Sequence, residues 1–445
     1  MYKSKTLNLI INSLIIIISL ISTIYLYIER LSLDSGYELI YLLPLSYCVF
    51  HVFFIRKVMK DYGISMFLGI YMTVSFFRYV ILSDLVVLSK WFYGRAVYPP
   101  DPIFYKQAIL MMVYELLIYN IAILIFHKFF FKNKEKLLVK KGKSDEVKYS
   151  KSNIIYIIFI VITFILVALR PNSISFFSFI TVNSNYTGLE DADTLTSITT
   201  IFLNTSRILI YLIIVRWCML NIHPKNPLLS FVVVTMITII NSLVFFGTNR
   251  ADFVFNFIVN LVVLIYLYRK LGISLSVILM ILLPIVVSSL SSYRNSTSIT
   301  KGANKLIDFT DNIQVYLGGI YNVALSLDLH SPNSSPWILL VDIFRSAFGP
   351  NLILKHISIV PSVNLFNNRI YLNDHVAQII PMIGQSNLYL GHIFAPILGV
   401  AFIFLAIFIV KEIIKVKRLE LIYVLTLFSG RLGFVMAQNG NIFLN

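Results

Sequence analysis

The chain is short of charge. Lys, Arg, Asp and Glu make up 13% of its 445 residues, against about 25% in soluble globular proteins. So few charges cannot clothe a water-facing surface, which excludes a soluble domain. Cysteine is nearly absent. Cys48 and Cys218 both fall inside apolar runs, so no disulfide framework is indicated. No His or Cys cluster has the spacing of a zinc site. No Walker-type or Rossmann glycine pattern occurs anywhere. Strict alternation of apolar and polar residues is missing too, which argues against a transmembrane barrel.

What the chain has is lipid-compatible length. Hydrophobic residues make up 58% of it. Apolar runs recur at 7–28, 37–55, 64–88, 107–127, 153–169, 198–220, 228–246, 253–268, 273–290, 388–410 and 420–437. A helix needs ~20 apolar residues to cross ~30 Å of hydrocarbon. The expectation is therefore an all-α polytopic membrane protein with about eleven transmembrane helices (ten to twelve).

The formal net charge of +16 is gathered in alternate loops. Lys3 and Lys5, then Arg56, Lys57 and Lys60, mark the first two. Nine lysines between Lys128 and Lys151 mark the third. Arg216 with Lys225, Arg269 with Lys270, and Lys411 to Arg418 mark the rest. Cytoplasmic loops are enriched in Lys and Arg. Placing these loops inside lets eleven spans alternate from a cytoplasmic N-terminus. The pattern reads as membrane topology and not as nucleic-acid binding. No cytoplasmic loop is long enough to hold a nucleotide-binding domain, so the chemistry is expected at the outer face.

The large outer segment under this topology is 291–387. Its stripe of Leu317, Ile320, Tyr321, Ala324 and Leu325 has helical spacing. Two short amphipathic helices, over 313–327 and 336–348, are expected on the outer surface. The domain boundaries follow: 1–290 N-terminal transmembrane helices, 291–387 extracytoplasmic loop, and 388–445 C-terminal transmembrane helices.

Arginines inside or at the outer ends of spans need a reason, since one at a helix centre costs ~2.5–3.5 kcal/mol on insertion scales. Arg78, Arg207 and Arg431 lie within runs, in the outer halves by this topology. Arg250 and Arg294 flank runs. Asp84 and Asp252 are the expected partners, Asp84 for Arg78. Two acids cannot neutralise five arginines, so the surplus implies an anionic ligand. A guanidinium fork matches phosphate oxygens two at a time.

A second polar cluster occupies 364–387 and includes Asn364, Asn367, Arg369, Asn373, Asp374, His375, Gln378, Gln385 and Asn387. Amide side chains suit sugar hydroxyls because they donate and accept. His375 is the first candidate for a general base, with Asp374 its rival. His330, His356 and His392 have fewer polar neighbours. Asp191 and Asp193 have the spacing of a metal-binding pair but lie in a Ser/Thr-rich stretch that suits a solvated turn. Glu29, Asp34 and Glu38 read equally as helix-end acids. No metal or other cofactor is assigned.

These features resemble the Wzy-type oligosaccharide repeat-unit polymerases of the O-antigen and capsule group. The residues that carry the resemblance are Phe246-Gly247-Thr248-Asn249-Arg250-Ala251-Asp252-Phe253, Tyr293-Arg294, the large late outer loop ending Pro381-Met382-Ile383-Gly384-Gln385-Ser386, and Gly430-Arg431-Leu432-Gly433-Phe434. The resemblance implies a GT-C-like fold and a glycosyltransferase of the bacterial cytoplasmic membrane. Donor and acceptor would both be oligosaccharides on undecaprenyl diphosphate, joined at the extracytoplasmic face with release of undecaprenyl diphosphate. It implies catalytic roles for His375, Asp374 and Arg250, and substrate contacts from Arg78, Arg207, Asn249, Arg294, Arg369, Gln385, Asn387 and Arg431. A chain-length regulator and a flippase are the expected protein partners. A ligase-like transferase using the same donor fits the same residues. A flippase or transporter would call for internal repeats and mid-membrane ionisable groups, and no convincing repeat is found.

Overall fold

The computed structural model describes all residues except 1–4, 132–153, 180–193, 247–249, 270, 277, 280–298, 301, 332–333, 348–349, 355, 371–377 and 445. At 5–8, 178, 194, 245–246, 250–255, 351–352 and 444 the backbone alone is described. The described chain is helical apart from one short ladder.

Six helices are long and apolar enough to cross a membrane: Leu9–Glu29, Leu42–Tyr62, Met66–Ser89, Pro102–Phe130, Leu195–Ile222 and Ile397–Lys415. Ile154–Leu169, Pro227–Leu243 and Asn256–Tyr268 are apolar but shorter. Among the described residues the eleven expected spans thus reduce to six of spanning length. One reduction has a visible cause: the run 420–437 is helical only over Leu419–Leu432. The run 388–410 keeps a helix of spanning length, Ile397–Lys415, but begins later than expected, because Gly391 at φ +77 ends a separate helix, Met382–Leu390. Most of 273–290 lies outside the described residues.

Local chemistry sets the other ends. Ser65 caps helix 66–89 by accepting from Leu68 N–H, as N-cap hydroxyls do. Pro102, Pro227 and Pro336 open their helices, where a missing N–H costs nothing. π-helical turns interrupt two spans, at His51–Ile55 and Phe77–Ile81. The second holds Arg78.

Contacts divide the chain into two units. The first comprises Met1–Lys141, Ser296–Glu412 and Phe428–Asn445; the second Gly142–Asn295 and Ile413–Leu427.

In the first unit, helices 102–130 and 397–415 run parallel. Tyr114 OH donates to Ile393 O at 2.9 Å. Phe126 meets Phe404, and Phe130 meets Phe408, with ring centroids 5.3 and 5.9 Å apart. The segment between 296 and 390 packs into this same unit. It holds helices Lys305–Leu317, Ile320–Leu327, Pro336–Arg345, Pro350–Leu354, Ser362–Ile370 and Met382–Leu390.

The expected amphipathic helix over 313–327 is therefore two helices. Gly318, at φ +58, ends the first as a left-handed C-cap. Every residue of the second, 320–327, is buried, and it packs against helix 102–130. It is an interior helix and not a surface-lying one. The apolar stripe read from the sequence spans a turn that breaks it.

In the second unit, helices 194–217, 227–243 and 250–268 pack around Tyr211, Val215, Val234, Val259, Leu264 and Tyr423. Phe177–Phe179 pairs antiparallel with Val244–Phe246, Phe177 opposite Phe246. Helix association in lipid has little hydrophobic drive, so close packing and interhelical hydrogen bonds carry it. Asn241 Nδ2 donates to Asn260 Oδ1 at 3.1 Å, and Asn260 Nδ2 donates to Ser242 Oγ at 2.8 Å. These bonds tie helix 227–243 to helix 250–268.

Candidate functional site

The second unit contains an apolar groove of about 470 Å³. Ile160, Phe164 and Val167 form one wall, Leu203, Ile210 and Ile214 another, and Ile237 and Ile240 a third. Arg207 is the one charged residue among those lining it. Its Nη1 donates to the carbonyl of Val244 and, at 3.5 Å, to that of Asn241. Ser206 and Thr163 meet across the wall, hydroxyl to hydroxyl at 2.7 Å. An apolar groove holding a guanidinium suits an anionic head on a hydrophobic tail, because the cation meets the charge while the walls receive the chain.

Arg207 thereby meets the segment that carries the glycine-arginine motif. Val244 begins the strand 244–246, and Arg250 opens helix Arg250–Tyr268 soon after. Two elements distant in sequence come together, as the sequence reading requires if they share a ligand. For Arg250 the backbone alone is described, and Asn249 lies outside the described residues.

In the first unit Arg78 and Arg369 have acidic partners. Arg78 is fully buried and pairs with Glu115 at 2.7 Å. Tyr79 OH donates to the same carboxylate oxygen at 3.0 Å, and Arg78 Nε donates to Gly318 O at 3.0 Å. The expected partner Asp84 instead accepts from Ser22 Oγ at 2.7 Å. The surplus-cation argument therefore loses Arg78, whose charge Glu115 balances. Its signal was available: Glu115 is the one acid in the run 107–127.

Arg369 is held likewise. Its Nε and Nη2 donate to Asp328 Oδ2 at 2.9 and 2.6 Å, and Nη1 donates to Tyr98 O at 2.8 Å. Gln385 is buried in a network centred on Asp342. Its Nε2 donates to Asp342 Oδ2 at 3.1 Å and Asn441 Oδ1 at 2.6 Å, and its Oε1 accepts from Gly440 N–H at 2.8 Å. Ser362 Oγ and Tyr389 OH also donate to Asp342, at 2.5 and 3.2 Å. These bonds account for Gln385 without a ligand. Asn387, half-buried on helix 382–390, is different: its Oδ1 is buried with no hydrogen-bond partner.

Arg431 is half-buried in the last turn of helix 419–432. Its flanking Gly430 and Gly433 fit against Met66 and Ile70, with the space for a Gly433 Cβ only 2.7 Å from Ile70. The glycines serve helix packing. They also set this turn by the first residues of helix 66–89 and not by the end that holds Asp84.

Asp374, His375 and Arg294 lie outside the described residues, as do Asn373, Asp191 and Asp193. Arg95 and Asp311 form a further buried pair, at 2.6 Å, with Trp91 Nε1 donating to the same carboxylate at 3.1 Å. The sequence reading missed it because the partners lie far apart in the chain. No group of three or more His, Cys, Asp or Glu is placed to hold a metal among the described residues. No family model, no curated protein and no solved structure matches this chain.

Proposed function

We propose that the chain is a glycosyltransferase of the bacterial cytoplasmic membrane that joins oligosaccharide repeat units carried on undecaprenyl diphosphate. The observation that carries this reading is the second unit's groove, apolar along its walls and holding Arg207, with Arg250 beginning the helix that follows strand 244–246. Its volume receives part of a polyprenyl chain, and its cation is chemically suited to a diphosphate.

In this reading the terminal hydroxyl of the acceptor attacks the anomeric carbon of the donor. The bond from that carbon to the diphosphate oxygen breaks, and undecaprenyl diphosphate departs. Guanidinium groups stabilise the charge that grows on the leaving group, with Arg250 and Arg207 the leading candidates. His375 or Asp374 takes the hydroxyl proton. A single displacement inverts the anomeric centre. The parallel course of helices 102–130 and 397–415 supports the assigned topology, in which both run outside to inside and the chemistry is extracytoplasmic.

Deleting the gene separates this activity from its rivals. Loss of polymerisation leaves lipid carriers bearing one exposed repeat unit. A ligase-like transferase would leave long chains on the carrier, and a flippase would trap single units inside. Restoring the gene with Arg250→Ala should give protein in the membrane and no chain growth. Wild-type chain length from that variant would remove Arg250 from the site.

A further inference from the structure

Helix Pro336–Arg345 belongs to the outer segment, where an amphipathic helix is expected at the membrane surface. Its packing places it elsewhere. Three contacts fix the depth of its surroundings within the first unit. The Gly318 carbonyl accepts from Arg78 Nε, and Arg78 pairs with Glu115; both lie near the midpoints of their spans, 66–89 and 102–130. The Ile393 carbonyl accepts from Tyr114, the neighbour of Glu115. Gly399 lies against the Tyr119 ring.

Helix 397–415 gives a separate measure. Lys411 sits over Phe130, its Nζ 5.2 Å from the ring centroid, which marks one membrane boundary by snorkelling. The apolar residues 397–410 before it cover only ~21 Å at ~1.5 Å per residue. A hydrocarbon core is ~30 Å thick, so helix 397–415 begins roughly 9 Å inside the opposite boundary.

Helix 336–345 is attached at that level. Leu339 and Ile343 on its inner face pack with Leu388, Tyr389 and Leu398. Gly440 lies against Ile343, and Phe443 against Phe402. The opposite face is a stripe of large apolar side chains, Trp337 58% exposed, Leu340 45% and Phe344 41%. The stripe follows i, i+3, i+7 spacing, one side of a helix. Ile393 and Phe394 are exposed on the turn before helix 397–415.

We infer that helix 336–345 is a re-entrant, in-plane element whose Trp337, Leu340 and Phe344 face lies against lipid acyl chains, below the membrane boundary and not in the aqueous phase. The depth argument names the occupant, because at the level of Ile393 and Leu398 the unoccupied side is lipid. The polar groups of the inner face are satisfied at that depth by the Asp342 network, as backbone and side chains inside a membrane must be. The inference concerns depth alone, so it holds for either orientation of the chain and for any reaction.

Trp91→Phe with Trp217→Phe leaves Trp337 as the sole tryptophan. In proteoliposomes, lipids brominated high on the acyl chain should quench its emission roughly twofold or more, as for a ring seated ~5–10 Å into the interface. Iodide in the water should have little effect. The reverse pattern, strong iodide quenching and none by brominated lipid, overturns the inference. Should the double substitution fail to fold, a nitroxide at Leu340→Cys, with Cys48 and Cys218 replaced by Ala, gives a second reading. Relaxation by oxygen exceeding that by a water-soluble nickel complex supports lipid contact, and the opposite order contradicts it.

Discussion

Glu115 and Arg78 show why single residues in a membrane protein are read best in pairs. Neither is tolerable alone at the middle of a span, and together they tie helices 66–89 and 102–130 to the turn at Gly318. Removing one partner of a buried pair costs about 3–5 kcal/mol, whereas replacing both with apolar residues of similar volume is nearly neutral. Glu115→Ala should therefore lower thermal stability in detergent sharply, and Arg78→Met with Glu115→Leu should recover most of it. An equal loss in the double variant would show that the pair itself does not carry the effect. Gly433 makes a second residue-scale prediction. A Cβ there would press on Ile70, and overpacking costs about 1–3 kcal/mol. Gly433→Ala should lower the unfolding temperature, and the same variant with Ile70→Ala should restore it. Arg431 itself is then a weaker site candidate than its glycine neighbours suggest in sequence.

At the scale of elements, the turn before helix 305–317 is built on a carboxylate. Burial pushes the Asp308 carboxyl up, but bonds from the N–H and hydroxyl of Thr300 and the N–H of Gly302 outweigh it and hold its pKa below the ordinary value. A group depressed in the folded state stabilises above its unfolded pKa of ~3.9, and that stability is lost as pH falls through the lower folded value. Asp308→Asn should lower stability at neutrality and flatten the acid limb, so that variant and wild type converge below about pH 4; an unchanged acid limb would contradict the assignment. Elements were partly legible beforehand. Apolar length located the spans at 7–28, 64–88 and 107–127 because no proline or left-handed residue ends their helical course; the π-turn at 77–81 interrupts the second without ending it. It found the span at 388–410 but placed its start too early, because hydropathy averages over Gly391 and the backbone does not. It failed at 313–327, where the apolar stripe runs unbroken in sequence across Gly318, whose left-handed conformation ends the first helix.

For the whole molecule, the lesson concerns what pairs with what. The sequence shows many cations and few acids, but partners such as Arg95 with Asp311, or Arg369 with Asp328, are set by packing between distant segments. Pairing removes Arg78 from the cationic surplus and accounts for Arg369 without a substrate, which leaves Arg207 with the Arg250 motif as the part of the proposed site best supported by geometry. That narrowing has a consequence. Arg207→Ala and Arg250→Ala should each abolish chain growth, while Arg369→Ala should act through stability, lowering chain growth only as far as it lowers the amount of folded protein. Normal chains from Arg207→Ala at wild-type membrane levels would separate the groove from the reaction.

The most direct test uses the purified chain in proteoliposomes with lipid-linked repeat units as the sole substrate. The account predicts a ladder of lengthening glycans on the carrier and release of undecaprenyl diphosphate in step with each new linkage, both lost in Arg250→Ala. Intact single repeat units and no released diphosphate, from a chain shown to be folded, would contradict it.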